Sequence, residues 1–180
     1  MAWLYGFFMA EGSAYKSTHY GVTFNNKRKD LLDKVQAIFE ENFHMKSFYS
    51  YQDDCSKVST SNKKIYEFFR SKFYTSSGLK QVPMEVLNAP HEIQRAFLDG
   101  YWIGDGYNDK KINSDYQSLH TNSQTLASGV MWLIKDSLGR FASVDTETRL
   151  DILRVRFPKG VGNHDKHEVK SIRKFPYGGY

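Results

Sequence analysis

Leu4-Tyr5-Gly6-Phe7-Phe8-Met9-Ala10-Glu11-Gly12 and Leu98-Asp99-Gly100-Tyr101-Trp102-Ile103-Gly104-Asp105-Gly106 share one pattern: an apolar run, two small residues four apart, then an acid followed by glycine. As helices, each places its small pair, Gly6 with Ala10 or Gly100 with Gly104, on one face, where missing side chains let another helix approach closely. The two segments therefore suit each other as packing partners. Gly12 and Gly106 are expected as left-handed C-caps, which puts Glu11 and Asp105 in the last helical turns. A helix C-terminus carries a partial negative charge, so an acid there costs a few tenths to about 1 kcal/mol unless a cation offsets it. Two such acids side by side repel further, and a divalent ion that prefers oxygen ligands, Mg2+ or Ca2+, relieves both effects.

The chain beyond each motif repeats as well. Asp105 follows Glu11 by 94 residues, and Leu31, Val35 and Ile38 recur as Leu126, Val130 and Leu133 at an offset of 95, so one inserted residue reconciles the registers. Tyr20 to Asn26 matches Tyr116 to Asn122, and Phe48-Tyr49-Ser50-Tyr51 matches Phe141 to Thr146. Each copy reads as helix, two strands, helix, two strands, with the last strand pair near 46–52 and 55–60 in the first and near 141–147 and 151–157 in the second. A further helix at about 62–73 belongs to the first copy only, because Pro158, Gly160 and Gly162 interrupt the corresponding stretch. Pro90 is placed to open the second motif helix, which runs to about Asp105.

Composition agrees with a folded domain of two small halves: 180 residues, 40% hydrophobic. No apolar run of 18 or more residues is present, and no signal-peptide pattern, so a membrane partner is not expected. The single Cys55 excludes an internal disulfide framework and a multi-cysteine zinc site. The six histidines show no metal-ligand spacing beyond His164-x-x-His167 and read as surface or packing residues. A net charge of +5 favours a polyanionic partner modestly. Basic residues at strand positions add to that: Lys16, Lys46, Lys57, Lys110, Lys111, Arg149, Arg154 and Arg156, mixed with tyrosines. In Asp151 to Phe157, alternation puts Arg154 and Arg156 on one face and Leu153, Val155 and Phe157 on the other. A solvated sheet face alternates in the same way, so the pattern alone does not decide between water and a ligand.

The paired segments resemble the two motifs of the LAGLIDADG homing endonucleases, over roughly residues 3–157, in the order of the two-motif, single-chain members. That resemblance implies an α+β fold of pseudo-two-fold duplicated αββαββ halves, residues 1–89 and 90–160, with the motif helices packed at the centre and antiparallel sheets forming a DNA-binding saddle. Lys80-Gln81-Val82-Pro83 is similar to the lysine-x-x-proline block before the second motif in intein-encoded members, which makes Lys80 a candidate for stabilising charge or activating water beside the metal. A second-half lysine is less defined: Lys174 lies at the motif offset, with Lys159, Lys166 and Lys170 as competitors. Residues 161–180 resemble the return strand to an intein splicing domain, yet the chain has no N-terminal cysteine or serine nucleophile and no terminal His-Asn.

Function follows from the resemblance as an expectation. Glu11 and Asp105 would be the catalytic acids and bind Mg2+, with Ca2+ supporting binding without cleavage. Lys16, Lys46, Lys57, Lys111, Arg149, Arg154 and Arg156 would meet double-stranded DNA, where Arg and Lys reach guanine edges and phosphates. The product would be a metal-dependent double-strand break with short 3′ overhangs, made by an intracellular monomer with internal pseudo-symmetry. A non-cleaving relative, a maturase or transcription regulator, is the alternative, and retention of both acids favours the nuclease. A calcium-binding module built on Asp99, Asp105 and Asp109 fails on spacing, since an EF-hand loop needs oxygen ligands at alternate positions.

Overall fold

The computed structural model describes residues 1–45, 48–52, 55–107, 118–147 and 152–157. The chain runs as α1 (Ala2–Glu11), β1 (Gly12–Lys16), β2 (Tyr20–Asn26), α2 (Lys29–Phe43), β3 (Phe48–Gln52), β4 (Cys55–Thr60), α3 (Lys63–Phe73) and α4 (Met84–Leu87). It continues as α5 (His91–Asp105), β5 (Gly106–Tyr107), β6 (Ser118–Thr121), α6 (Gln124–Leu138), β7 (Ser143–Glu147) and β8 (Ile152–Arg156). The strands make two antiparallel sheets of identical order, β1-β2-β4-β3 and β5-β6-β8-β7. The α+β class and its duplication are therefore those expected.

Backbone register relates the halves residue by residue. Phe24 pairs with Gly12 and Val58, and Leu119 pairs with Gly106 and Val155. One step along, Asn25 opposite Lys57 corresponds to His120 opposite Arg154, and Asn26 corresponds to Thr121, one residue before the Asn122 expected from the sequence match. Alternation turns Val22, Phe24, Val58, Leu119 and Val155 toward the helices, where each is buried. The opposite face carries Asn25, Lys57 and Ser59 in one sheet and His120, Arg154 and Arg156 in the other.

Glycine makes the centre possible. A Cβ on Gly6 would overlap the Phe97 carbonyl, one on Gly100 the Trp3 carbonyl, and one on Gly104 the Ala10 side chain. Helices α1 and α5 therefore touch backbone to backbone, through the small-residue faces seen in the sequence. Gly12 and Gly106 behave differently from expectation. Their φ angles of −93° and −73° are extended rather than left-handed, so each motif helix runs straight into a strand. Crowding is what requires glycine there: a Cβ would strike the Phe8 ring at Gly12 and the Trp102 ring at Gly106.

The rest of the core follows the apolar spacing. Leu31, Leu32, Val35 and Phe39 of α2 are buried, as are Leu126, Val130, Leu133 and Ile134 of α6. Side-chain caps fix two helix starts, Asn62 accepting from the Ile65 amide and Ser123 from the Leu126 amide. Gly139, at φ 63°, closes α6 in the left-handed conformation. Helix α3 sets Phe69 and Phe73 against Phe8, and Phe69 also against Phe24 and Phe39, an aromatic cluster. The second half uses Leu119 where the first has Phe24.

Candidate active site

The end of α1 and the end of α5 lie together because Gly104 leaves room for Glu11. A Cβ on Gly104 would sit 3.0 Å from Glu11 Cγ and 3.6 Å from Oε1. Glu11 is anchored on its other side, where Asn26 Nδ2 donates to Oε1 at 2.6 Å. The Asn26 amide is itself oriented, since its Oδ1 accepts from the Arg28 amide at 2.8 Å, a local turn that asparagine favours. Asp105 opens onto a cleft of about 460 Å3 whose walls include Ala10, Lys80, Tyr101, His120 and Thr121.

Lys80 reaches this site from the segment that links the halves. The turn before it closes through Gly78 at φ 85°, with the Leu79 amide on Thr75 Oγ1 at 3.1 Å. Its Nζ then donates to the carbonyls of Phe8, Met9 and Gly12 at 3.1, 2.7 and 2.9 Å. An ammonium has three N–H donors. Helix α1 has no basic residue in its last turn, so Lys80 supplies from 68 or more residues away the cation that its C-terminus lacks. The compensation that the sequence assigned to metal ions alone is thus shared with a side chain of the protein.

Charge is held under tension here. Burial, and then the neighbouring Glu11 carboxylate, push Asp105 from an ordinary 3.8 to about 6, against the opposing pull of Lys80. Glu11 is also raised by burial, while the Asn26 hydrogen bond and Lys80 work the other way. Burial brings Lys80 down to about 8, although Asp105 and Glu11 both favour its charged form. Two carboxylates and one lysine, each penalised by desolvation, act on one another here, and Asp105 and Lys80 line the cleft.

The two halves are not equal at this wall. Thr121 stands at the register position of Asn26, but its Oγ1 accepts from the Ser123 amide at 3.0 Å. Tyr101, whose hydroxyl burial and Asp105 hold well above the usual tyrosine value, donates to the His120 carbonyl at 2.7 Å. Asn26, His120 and Ser123 were not singled out by sequence. Asn26 had one signal, its place at the end of a repeated strand. His120 lies on the cleft rather than in ordinary packing.

A family model described as a LAGLIDADG-like domain matches residues 1–73 and 92–155. The chain belongs to the LAGLIDADG-like family. Among curated relatives, a DNA polymerase of Acanthamoeba polyphaga mimivirus is 27% identical over 183 residues, covering 96% of this chain and 10% of that protein. A DNA polymerase of Thermococcus sp. strain GE8 is 29% identical over 166 residues, covering 88% of this chain and 8% of the polymerase. The chain spans about a tenth of the length of these relatives. Mesophilic variants of the homing endonuclease I-DmoI share the fold at a TM-score of 0.67 and 18% identity, covering 87% of this chain and 86% of theirs. I-DmoI in complex with DNA and Ca gives the same TM-score and identity, with 88% and 81% covered. The N-terminal LAGLIDADG domain of DUF199/WhiA matches at 0.61 and 9% identity, over 88% and 73%.

Within the LAGLIDADG-like framework, the basic residues singled out by sequence divide into three groups. Lys57, Arg154 and Arg156 stand on the sheet face opposite the core. Lys16 shares the register of Ala14, on the core-facing side, and is exposed at the end of β1 with Nζ 5.4 Å from the Tyr20 ring centre. Lys46, Lys110, Lys111 and Arg149 lie outside the described residues, as do Lys159, Lys166, Lys170, Lys174, the His164 and His167 pair, and all of 161–180. Among the described residues, no helix is long and apolar enough to cross a membrane.

Proposed function

We propose that this chain is a site-specific homing endonuclease that makes a metal-dependent double-strand break in a long DNA target. The observation that carries the reading is the pair Glu11 and Asp105, set side by side at the ends of two helices in backbone contact and destabilised as free carboxylates. Among the described residues no group of three or more acidic, histidine or cysteine side chains forms a metal cage. Two carboxylates are nevertheless the donor set that suits Mg2+, which commonly takes one or two carboxylates and completes its shell with water and substrate phosphates. Residues and group therefore fit. The solved I-DmoI complexes with DNA and Ca, and with DNA and Mn, support the same pairing of partner and ion.

Bound there, the divalent ions would lower the pKa of an attacking water and offset charge on the reacting phosphate. Glu11 and Asp105 would hold them, each acid serving one strand. Asn26 fixes the rotamer of Glu11, and Lys80 adds positive charge beside both acids while capping α1. Lys57, Arg154 and Arg156, with Lys16, Lys46, Lys111 and Arg149, would supply DNA contacts, and one chain carries both halves, which suits a monomer. The likeness to a tenth of each polymerase supports an endonuclease unit carried within a host protein, as in an intein. Both acids are retained, which favours the nuclease over a maturase or regulator that binds without cutting.

The test is cleavage of a supercoiled plasmid library by the wild type, Glu11→Gln and Asp105→Asn in Mg2+. Wild type is expected to linearise a sequence-defined subset, and each variant to lose cleavage at least 100-fold while retaining DNA binding. Full Mg2+-dependent cleavage by either variant would refute the shared-acid site.

A further inference from the structure

A relay of hydrogen bonds joins the helix that ends in Asp105 to the lysine that closes the helix ending in Glu11. Tyr101 lies one turn before Asp105 on α5, and its buried hydroxyl donates to the His120 carbonyl at 2.7 Å. The same phenol oxygen is hydrogen-bonded by the Thr121 side chain. Thr121 Oγ1 also accepts from the Ser123 amide at 3.0 Å. The Ser123 hydroxyl, itself buried, donates to the Lys80 carbonyl at 2.5 Å, and Lys80 Nζ ends on the carbonyls of Phe8, Met9 and Gly12. A hydroxyl has one proton to give, so the directions are fixed: Tyr101 gives to His120, Thr121 to Tyr101 and Ser123 to Lys80.

The first half has a different arrangement. Phe7 stands at the motif position of Tyr101, equally buried and with no hydroxyl. Asn26, at the register position of Thr121, reaches Glu11 instead of turning inward. Phenylalanine therefore satisfies the packing at this position of a motif helix. A buried hydroxyl costs free energy unless it is bonded, so what Tyr101 adds is its hydrogen bonds.

Those bonds bear on Lys80. Its ammonium spends three donors on the end of α1, while its backbone carbonyl is held from the second half by Ser123. A cation acts on developing charge only from the right place, and small misplacements cost rate steeply. We propose that Tyr101, Thr121 and Ser123 are positioning residues for cleavage, acting in series to seat the Lys80 ammonium against both acids. This inference rests on the endonuclease reading above.

The experiment is single-turnover cleavage in Mg2+ of a plasmid carrying a target that the wild type cuts, with target affinity in Ca2+ and melting temperature measured alongside. The variants are Tyr101→Phe, Thr121→Val, Thr121→Ser, Ser123→Gly and the double variant Tyr101→Phe/Ser123→Gly. Glycine is tolerated at a helix N-cap, so Ser123→Gly chiefly removes the proton on the Lys80 carbonyl. Tyr101→Phe, Thr121→Val and Ser123→Gly should each slow cleavage about tenfold with affinity within about twofold of wild type. Thr121→Ser keeps the hydroxyl and should cleave at the wild-type rate. Because the residues act in series, the double variant should be no slower than the slower single. Where Tyr101→Phe does not fold, Thr121→Val, at a half-buried position, takes its place in the double variant.

Independent packing effects would instead multiply, slowing the double variant about 100-fold. Variants that melt lower yet cleave at the full rate while folded would make the relay purely structural. Either result overturns the proposal and leaves the endonuclease reading standing. If the wild type cuts no DNA, that reading falls and the proposal with it.

Discussion

Replacing Asp105 with asparagine should make the metal-free protein more stable at neutral pH while removing a residue central to the proposed activity. The folded protein holds the Asp105 proton up to about 6, whereas the unfolded chain releases it near 3.8. A folded-state value above the unfolded one means stability that is present below 3.8 and lost as pH rises through 6. At about 1.4 kcal/mol per tenfold difference in proton affinity, the charged Asp105 costs the fold about 3 kcal/mol at pH 7.5. Asparagine keeps the shape and never ionises, so about 2 to 3 kcal/mol should be recovered, a rise in Tm of roughly 4–12 °C for a domain of this size. Melts of wild type and Asp105→Asn in EDTA at pH 7.5 and at pH 4 read this directly. The gain should be present at pH 7.5 and shrink toward zero at pH 4. No gain at pH 7.5, or an equal gain at both, would show that the carboxylate is not held under electrostatic stress. Millimolar Mg2+ should raise the wild-type Tm more than that of the variant, because only the former has both acids to offer.

Other perturbations separate the parts of the site. Lys80→Met leaves three carbonyls at the end of α1 without their donor and should lower stability by about 2 kcal/mol, while titration of Mg2+-dependent cleavage shifts to higher pH as both acids lose a favourable neighbour. Asn26→Ala frees Glu11 and should slow cutting of one strand about tenfold more than the other, read as accumulation of nicked circles on a selected target. Gly100→Ala drives a methyl into the Trp3 carbonyl and should cost more than about 4 kcal/mol, seen as loss of a cooperative melt; the control Gly139→Ala meets no neighbouring atom within 4 Å, although its φ of 63° carries a smaller strain penalty.

Local chemistry in the chain determined much of this architecture. Small residues four apart at 6 and 10, and at 100 and 104, indicated the faces of α1 and α5 because helix geometry is periodic and a missing side chain has one steric meaning. The offset of 94 to 95 gave the duplicated plan, and the apolar spacing of Leu31, Val35 and Phe39 gave α2. The caps at Gly12 and Gly106 were misread, since an acid followed by glycine suits either a left-handed turn or a residue pressed against an aromatic ring, and only packing tells them apart. Lys80 was placed near the acids through family resemblance, but its three carbonyl partners lie 68 to 72 residues away and have no local signature. Asn26 and His120 were missed for the same reason: what a strand-end side chain reaches depends on how sheet and helix are stacked.

The Ser123 hydroxyl accepts from the Leu126 amide and donates to the Lys80 carbonyl at 2.5 Å, while Val82 fills the space above Gly129, where a Cβ would sit 2.7 Å from it. The lysine that closes the first motif helix is therefore seated by the start of a helix in the other half. Grafting the first half onto an unrelated mate, the obvious route to retargeting such a scaffold, would take away the hydroxyl on the Lys80 carbonyl and the space that receives Val82 unless the serine and the glycine travel with it. The unit of exchange is then a half together with its mate's α6, and libraries cut at the linker near residue 89 would sever the wrong joint.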